Sequence, residues 1–405
     1  MNSWSIAQRM MNYEKGSFVR FILKLGYWCT GLSVAVMVIA FAVISGFNKE
    51  ISSKIFGIWG HIQVNSIHSS QLNVSEPIDF DETFTATLDS MEGIKHHQVF
   101  AFMPGVITTK MEMEGLILKG IGKDFDWNLF NKFLIAGRFI QLADSASREI
   151  ILSQVVASRL KLKVGDKCRI NFVVDEEIVP RGFEVVGIYN TGLEEYDRKL
   201  ALMDIQLIRD LNNWSDTDIG GYEIFVHDIR NVDLIADEIY EKHLRSDMYI
   251  ETIKQKFPSI FDWLNLQSTN QYVVLALMLS VALINIITVL LILILERTKM
   301  IGVLKALGTK NKLLRKVFLL HGIHILIKGL ILGNVLGLGL CLIQKYGKIV
   351  KLNESDYYLS VAPIHFNALS VLLLNVGIIV VTFVFLIIPT ILIFKITPIK
   401  AIGYR

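Results

Sequence analysis

Four long apolar runs constrain this chain more than any other feature of its sequence. They cover residues 26–47, 269–295, 317–344 and 368–394. A helix rises about 1.5 Å per residue, so each run is long enough to cross the hydrocarbon core of a bilayer, which is about 30 Å thick. Apolar residue types also make up 52% of the 405 residues. We therefore predict a membrane protein with four helical spans. The third run holds Gly329, Gly333 and Gly337, a small-residue row at every fourth position, which predicts close packing against a neighbouring span.

The first apolar run has a second interpretation, because residues 40–42 show the small-x-small pattern of a signal-cleavage site. The charged segment before the run is too long for a cleaved signal. Residues 1–25 mix basic and apolar side chains, which predicts either an amphipathic helix at the inner membrane surface or a charged flank of the first span. The basic residues of this segment are Arg9, Lys15, Arg20 and Lys24.

The loop between the second and third runs, residues 296–316, is basic. From Arg297 to Lys316 it holds seven Lys or Arg residues and no acidic residue. Loops of this kind lie on the cytoplasmic side of a membrane. The sequence therefore places this loop, and with it both chain termini, in the cytoplasm.

The same loop is also amphipathic. On a helix, its apolar residues fall on one stripe, made of Met300, Ile301, Leu304 and Leu307. Gly308 can end that helix in the left-handed conformation, and Thr309 or Asn311 can cap the helix that follows. We expect a short helix and a sharp corner, which serves either as a linker on anionic lipid headgroups or as a docking element for a cytoplasmic protein.

Residues 48–268 are polar enough, and numerous enough, to form one or two domains with their own cores. Period-two alternation predicts strands, and two segments with helical periodicity predict helices at 80–91 and 232–243, so the fold class of this region is α+β. A hairpin tip is expected at 173–181 and a structural turn at Gly165. The predicted strands cover 61–65, 98–110, 116–121, 167–174 and 183–189.

The sequence lacks the motifs of several catalytic classes. Ile121 stands where a phosphate-binding loop beginning at Gly115 would require Lys, so the chain has no nucleotide-hydrolysing motif. His321 and His324 have no nearby carboxylate or cysteine, and the three cysteines form no disulfide framework in the polar region. The net charge of +3 gives no nucleic-acid patch. We expect the chain to be no enzyme and to hold no metal, cofactor or nucleic acid.

The loop sequence Glu296–Gly308 resembles the R-x-x-E-I-G-[IV]-L-[KR]-A-[LI]-G signature of FtsX-like ABC-transporter permeases. In that family the motif is a coupling helix that contacts the ATPase. Two positions depart from the family pattern, since Met300 and His321 stand where acidic residues are common. The docking residues implied by the resemblance are Met300, Ile301, Gly302, Leu304, Lys305, Ala306, Leu307 and Gly308.

A second stretch of sequence limits the resemblance to one branch of this family. Residues 256–267, read as Lys-Phe-Pro-Ser-Ile-Phe-Asp-Trp-Leu-Asn-Leu-Gln, are similar to the segment before the second span in the lipoprotein-releasing (LolC/LolE-type) branch. Residues 46–64 and 148–167 also resemble family patterns, at the exit of the first span and in the external domain. The implied fold is an α-helical four-span transmembrane domain with a MacB/LolE-like α+β periplasmic core.

The resemblance also implies an activity. Such a subunit would pair with a second permease copy or a paralogue and with a cytoplasmic ABC ATPase, which alone binds ATP. It would extract acylated lipoproteins from the outer leaflet of the inner membrane for delivery toward the outer membrane. In one lipoprotein-releasing subunit, an arm near 173–181 recruits a periplasmic carrier, and the tip is shorter here. The expected cavity residues are Met37, Phe41, Met278 and Ala282.

The sequence is also compatible with two other functions. A MacB-like efflux or mechanotransmission permease would share the architecture, although that type usually carries a fused ATPase. An FtsX-like regulator of cell-wall hydrolases would transport nothing, and its external domain is usually smaller. For all three, we predict the organisation as follows: a cytoplasmic amphipathic segment at 1–25, spans at 26–47, 269–295, 317–344 and 368–394, a periplasmic domain at 48–268, a coupling loop at 296–316, a periplasmic loop at 345–367 and a cytoplasmic tail at 395–405.

Overall fold

The computed structural model describes residues 17–69, 74–109, 112–143 and 145–396. The chain divides into a helical unit and a mixed unit. The helical unit takes in the residues up to Lys49, Trp263–Lys351 and the residues from Val361, whereas the mixed unit takes in Glu50–Asp262 and Leu352–Ser360. Most of the predicted segment 1–25 and of the tail 395–405 lies outside the described residues.

The described residues include the following helices and strands. The helices are α1 (Ser17–Trp59), α2 (Glu82–Ser90), α3 (Trp127–Phe130), α4 (Gln154–Leu160), α5 (Glu194–Asp197), α6 (Ile205–Asn212), α7 (Val232–Lys242), α8 (Ile253–Lys256), α9 (Pro258–Glu296), α10 (Thr298–Ala306), α11 (Asn311–Gly347), α12 (Glu354–Tyr357), α13 (Ala368–Thr390) and α14 (Leu392–Lys395). The strands are β1 (Ile62–Ser66), β2 (Ile78–Asp79), β3 (Ile94–Thr108), β4 (Met113–Ile121), β5 (Leu134–Gly137), β6 (Glu149–Ser153), β7 (Lys167–Val174), β8 (Glu177–Tyr189), β9 (Leu200–Asp204), β10 (Asp218–Ile219), β11 (Gly221–Val226) and β12 (Met248–Thr252).

Among the described residues, four helices are long and apolar enough to cross a membrane, namely α1, α9, α11 and α13. Three of them, α1, α9 and α11, are longer than the runs predicted from sequence. Helix α1 continues past residue 47 to Trp59, and α9 begins at Pro258, before residue 269. On the added turns of α1, Ile51, Ile55 and Ile58 recur every three or four residues and are buried, so they extend the helix along one apolar face. The strand predicted at 61–65 follows this extension as β1.

The glycine row of α11 brings this helix close to α1. A Cβ atom built on Gly333 would lie 2.5 Å from Cβ of Val34, and one on Gly329 would lie 2.8 Å from Cβ of Thr30. Small residues at every fourth position let two helix backbones approach in this way. The predicted role of the row in packing against a neighbouring span is confirmed.

A polar contact joins α11 to α13 within the helical unit. The Asn334 and Asn375 side-chain amides each donate to the other's oxygen, at 2.7 and 3.0 Å. Amide pairs between apolar helices supply hydrogen bonds that lipid tails do not. The surrounding core is apolar, and its buried members include Val34, Ile286 and Phe318.

The mixed unit is built on a ten-stranded sheet. Its strands follow the order β12-β1-β11-β3-β4-β9-β6-β8-β5, and β7 pairs with β3 and β8. Most pairs are antiparallel, while β4 pairs with β9 and β6 with β8 in parallel. Helices α2 and α7 help cover one apolar core, and α4 and α6 help cover another. This architecture confirms the α+β class.

Most predicted strands and helices of this unit are present, with shifted ends. Strand β7 matches its prediction at both ends, and β8 begins earlier than predicted, at Glu177. The hairpin between them turns on Asp175 and Glu176, both in the left-handed conformation with φ of 49° and 65°. Next to this turn, Val173 and Ile178 are 67% and 70% exposed. Gly165 also has a positive φ, of 93°, in the predicted turn before β7.

A fully buried ion pair lies inside the mixed unit, where α1 ends. The Lys119 ammonium on β4 donates to both carboxylate oxygens of Glu223 on β11, at 2.7 Å, and also to the carbonyl oxygen of Ile58. Gln63 and Gln98 donate to the same carboxylate at 2.9 and 2.8 Å. Both charged side chains are 0% exposed. The pair therefore connects three neighbouring strands and β4 to the last turn of α1.

Candidate functional site

Helix α10 and the corner after it form the candidate site. The helix runs from Thr298 to Ala306 with Leu307 as its C-cap, and Gly308 follows with φ of 87°. At the corner, the Gly308 N–H donates to Lys305 and the Thr309 N–H donates to Leu304, both at 3.0 Å. These bonds satisfy carbonyl groups that a helix end otherwise leaves open. The predicted left-handed role of Gly308 is confirmed.

The predicted cap of the next helix was wrong. Lys310 occupies the N-cap position of α11, with no hydrogen bond from its side chain, and Asn311 is already the first helical residue. Lys310 has the extended backbone that an N-cap requires, so the position is set by where the turn after Gly308 ends. A lysine side chain has no acceptor atom, which is why the sequence pointed to Thr309 and Asn311 instead.

The predicted apolar stripe of α10 divides between two faces. Ile301 is 0% exposed and Gly302 is also buried, while Leu304 is half-buried against the core of the helical unit. Leu307 is 78% exposed, because it lies at the helix end and no longer follows the inward stripe. Met300 is half-buried. The implied docking residues therefore do not share one surface.

The outward surface of this element has a different composition. Val303 is 48% exposed, and Ala306, Leu307 and Gly308 are exposed beside it. We call Val303, Ala306, Leu307 and Gly308 the docking face. Val303 was not singled out from the sequence, although its place three residues before Ala306 and four before Leu307 puts it on the same side of a helix.

Lys305 does not belong to the docking face. Its ammonium donates to the carbonyl oxygens of Ile393 and Ile396, the latter at 2.7 Å. Nearby, Arg315 Nε on α11 donates to the Thr390 hydroxyl oxygen at 3.1 Å. Helix α10 and the start of α11 are thus attached to the end of the last span by contacts that no sequence pattern predicts.

The four expected cavity residues have different environments. Met37 and Ala282 are 1% and 0% exposed, and Met37 belongs to the packed core of the helical unit, against which Met278 lies half-buried. Phe41 is also half-buried. In this conformation Met37 and Ala282 are packing residues, since no surface of either is open. Their contact with a substrate stays a prediction.

Two family models match the chain. The model described as the MacB-like periplasmic core domain matches residues 30–239, which is more than half of the chain, and the model described as the FtsX-like permease C-terminal matches residues 272–398. The chain belongs to the FtsX-like permease family. The first match includes most of the ten-stranded sheet, and the second includes α10 and the docking face.

Curated relatives of this FtsX-like permease match over most of their length. The lipoprotein-releasing system transmembrane protein LolC of Neisseria meningitidis is 23% identical over 83% of this chain and 81% of that protein. The corresponding LolE of Haemophilus influenzae is 24% identical over 90% of each chain. Among solved structures, the periplasmic region of MacB from Actinobacillus actinomycetemcomitans covers 51% of this chain and 95% of that region, with a TM-score of 0.35 and 13% identity.

Proposed function

We propose that this FtsX-like permease releases acylated lipoproteins from the inner membrane, driven by ATP that a separate subunit hydrolyses. The observation that supports this most is that relatives named as lipoprotein-releasing transmembrane proteins match over 83% and 90% of this chain. Helix α10 supports the proposal, because it offers an exposed apolar face between two candidate spans.

The physical task explains why such a permease needs an ATPase. Each buried CH₂ group of an acyl chain holds a lipoprotein in the bilayer by about 0.8 kcal/mol, so a protein with several chains does not leave unaided. ATP-driven closure of the ATPase pair would push on the docking faces of two permeases. The second permease is a copy of this chain or a paralogue, and the spans would move with α10.

Two other exposed surfaces suit the remaining proposed partners, which are a second permease and a periplasmic carrier. Candidate spans α1 and α9 carry exposed apolar side chains, which suit a lipid or a second permease, among them Phe21, Trp28, Tyr272, Leu277 and Ile284. The hairpin tip at Asp175–Glu176 exposes Val173 and Ile178, which suit a periplasmic carrier of lipoproteins. Two exposed aliphatic side chains beside acidic turn residues would receive an apolar surface with a basic rim.

The proposal is tested by depleting the protein in its host, fractionating the membranes and following an outer-membrane lipoprotein by its acyl label and by immunoblot. We expect mature, acylated lipoprotein to accumulate in the inner membrane and wild-type permease to restore its sorting. Restoration should fail with Val303→Glu combined with Leu307→Glu, because the two carboxylates would lie in the apolar contact with the ATPase. Leu304 is left unchanged, since it packs against the core of its own unit.

A matched control places two glutamates elsewhere. Leu234 and Tyr240 on α7 are 70% and 64% exposed, so Leu234→Glu combined with Tyr240→Glu makes the same chemical change on the mixed unit and should restore sorting. Normal lipoprotein sorting in the depleted host would contradict the proposal and favour efflux or cell-wall regulation. Drug sensitivity and cell shape would then be measured to distinguish these two functions. If the variant with both Val303→Glu and Leu307→Glu restored sorting, the docking assignment would be contradicted and the proposed function would not.

A further inference from the structure

We infer that Lys305 is a positioning residue, which holds the docking face in place by binding the end of the last span. This inference rests on the proposed function, because it takes the docking face of α10 as the place where the ATPase pushes. It adds a residue that lies within the docking motif but turns away from the docking partner.

The contacts of Lys305 are those of a helix cap. Its ammonium reaches two carbonyl oxygens, those of Ile393 within α14 and Ile396 just after it. The last carbonyl groups of a helix have no partner within the helix and carry partial negative charge, so a cation there is stabilised by both hydrogen bonding and the helix dipole. A neutral side chain of the same length would leave these carbonyl groups without their donor.

Apolar packing around this contact also connects α10 with the segment after the fourth candidate span. Ile393 is 0% exposed and belongs to the same core as Ile301 of α10, and Ile396 packs against that core. A second polar contact lies one turn earlier, where Arg315 donates to Thr390 at the end of α13. Lys305 therefore fixes α10 to a segment that follows the fourth candidate span, although the two are far apart in sequence.

This arrangement has a mechanical consequence. Helix α10 follows α9 after Arg297, and the corner at Gly308 joins it to α11, so its ends are attached only to the second and third spans. Lys305 adds a polar attachment to the fourth, beside the apolar core that Ile301 shares with Ile393. A push on Val303 and Leu307 would then reach three spans together, instead of bending a short helix between two corners.

The first measurement concerns position. Spin labels are attached at Leu307→Cys and Leu372→Cys, both of which replace exposed leucines of the helical unit, in the full chain without Cys29, Cys168 and Cys341 and in lipid nanodiscs. The distance distribution between the labels reports where α10 lies relative to α13. We expect Lys305→Met to broaden this distribution and Lys305→Arg, which keeps a charged donor, to retain the wild-type width.

The second measurement is lipoprotein release in the depleted host, with unlabelled variants. We expect Lys305→Met to lower release by about tenfold, since hydrogen bonds from a charged donor shift an equilibrium by at least that factor. Lys305→Arg should restore most of the release. Lys312→Met is the control, because Lys312 is an exposed lysine in the first turn of α11 and lies outside the docking face. Membrane levels of all variants are compared by immunoblot.

The outcomes separate the inference from the proposed function. An unchanged distance distribution in Lys305→Met would overturn the positioning role, and a broadened distribution with wild-type release would overturn its importance for coupling. If wild-type permease restores no lipoprotein sorting, the proposed function fails while the distance measurement still decides the position of α10. If Lys305→Met does not reach the membrane, Lys305→Ala, which also lacks a donor, is measured in its place, with the same expected direction and the same overturning results.

Discussion

At the residue scale, the fully buried pair of Lys119 and Glu223 places two charged groups inside the mixed unit, where each depends on the other. Burial lowers the pKa of Lys119, and the Glu223 carboxylate opposes that shift. A buried pair contributes little net stability against an apolar substitute, but removing one partner leaves an uncompensated charge. Here the carboxylate also accepts from Gln63 and Gln98, so three donor side chains share one acceptor group.

The pair gives a prediction on stability. Lys119→Met should destabilise the mixed unit by about 3–5 kcal/mol, because Glu223 would be buried without the cation that donates to it. Adding Glu223→Gln should recover more than half of the loss, since the neutral amide oxygen still accepts from Gln63 or Gln98. Thermal unfolding of the detergent-solubilised chain measures both variants. A double variant no more stable than Lys119→Met would show that lost packing, and not the unpaired charge, is the cause.

At the element scale, the contact between α1 and α11 depends on three glycines of α11, which have no side chain. Each of Gly329, Gly333 and Gly337 is buried, and atoms of α1 occupy the space where a Cβ atom would be. The hydrophobic effect does not drive helix association within lipid, so close packing of this kind has to supply much of the contact energy.

The glycine row gives a second prediction, with a control on the same helix. Gly333→Val should destabilise the helical unit by about 1–3 kcal/mol, because the new side chain overlaps Val34 and the helices must separate. Gly339→Val makes the same change of helix propensity where nothing lies within 4 Å of the Cβ position, and it should be tolerated. Thermal stability and yield of the purified variants provide the comparison. Equal losses in the two variants would mean that propensity, not contact, explains the effect.

Helix α10 shows at the same scale how far sequence periodicity reaches. The apolar stripe and Gly308 predicted the helix and its corner correctly, because both depend on neighbours a few residues away. The stripe could not show that Ile301 and Leu304 face inward while Leu307 faces outward. That division depends on the core formed with distant residues such as Phe318 and Leu386.

At the scale of the whole molecule, the chain alternates between apolar helices and regions assigned to opposite sides of the membrane. Ile178 at the hairpin tip and Leu307 on the docking face are 70% and 78% exposed, so both are accessible to a reagent on their own side. The basic loop around Leu307 predicts a cytoplasmic location for it, and the family match gives the mixed unit a periplasmic core domain.

This topology is tested with a membrane-impermeant thiol reagent on cells whose outer membrane has been permeabilised, in a chain without its native cysteines. Ile178→Cys should be labelled in these cells, whereas Leu307→Cys should be labelled only after the inner membrane is disrupted. Labelling of both sites before disruption, or of Leu307→Cys alone, would contradict the four-span arrangement with cytoplasmic ends.

The sequence by itself determined the properties that depend on short stretches of chain. Four apolar runs predicted the candidate spans, and period-two alternation predicted strands β1, β3, β4, β7 and β8. Glycines predicted the close helix contact and the corner at Gly308. Local periodicity carries this information because helices and strands repeat over a few residues. The docking motif was found in the same way, from a single continuous segment.

Only the tertiary structure decided which distant groups meet. Lys119 and Glu223 pair across 104 residues, and Lys305 binds carbonyl groups 88 and 91 residues further along the chain. Backbone carbonyl acceptors are present at every position, so no pattern of side chains marks the ones that a lysine will reach. The extended α1, the two-faced α10 and the burial of Met37 and Ala282 follow from the same cause, since burial is settled by the packing of segments that the sequence presents far apart.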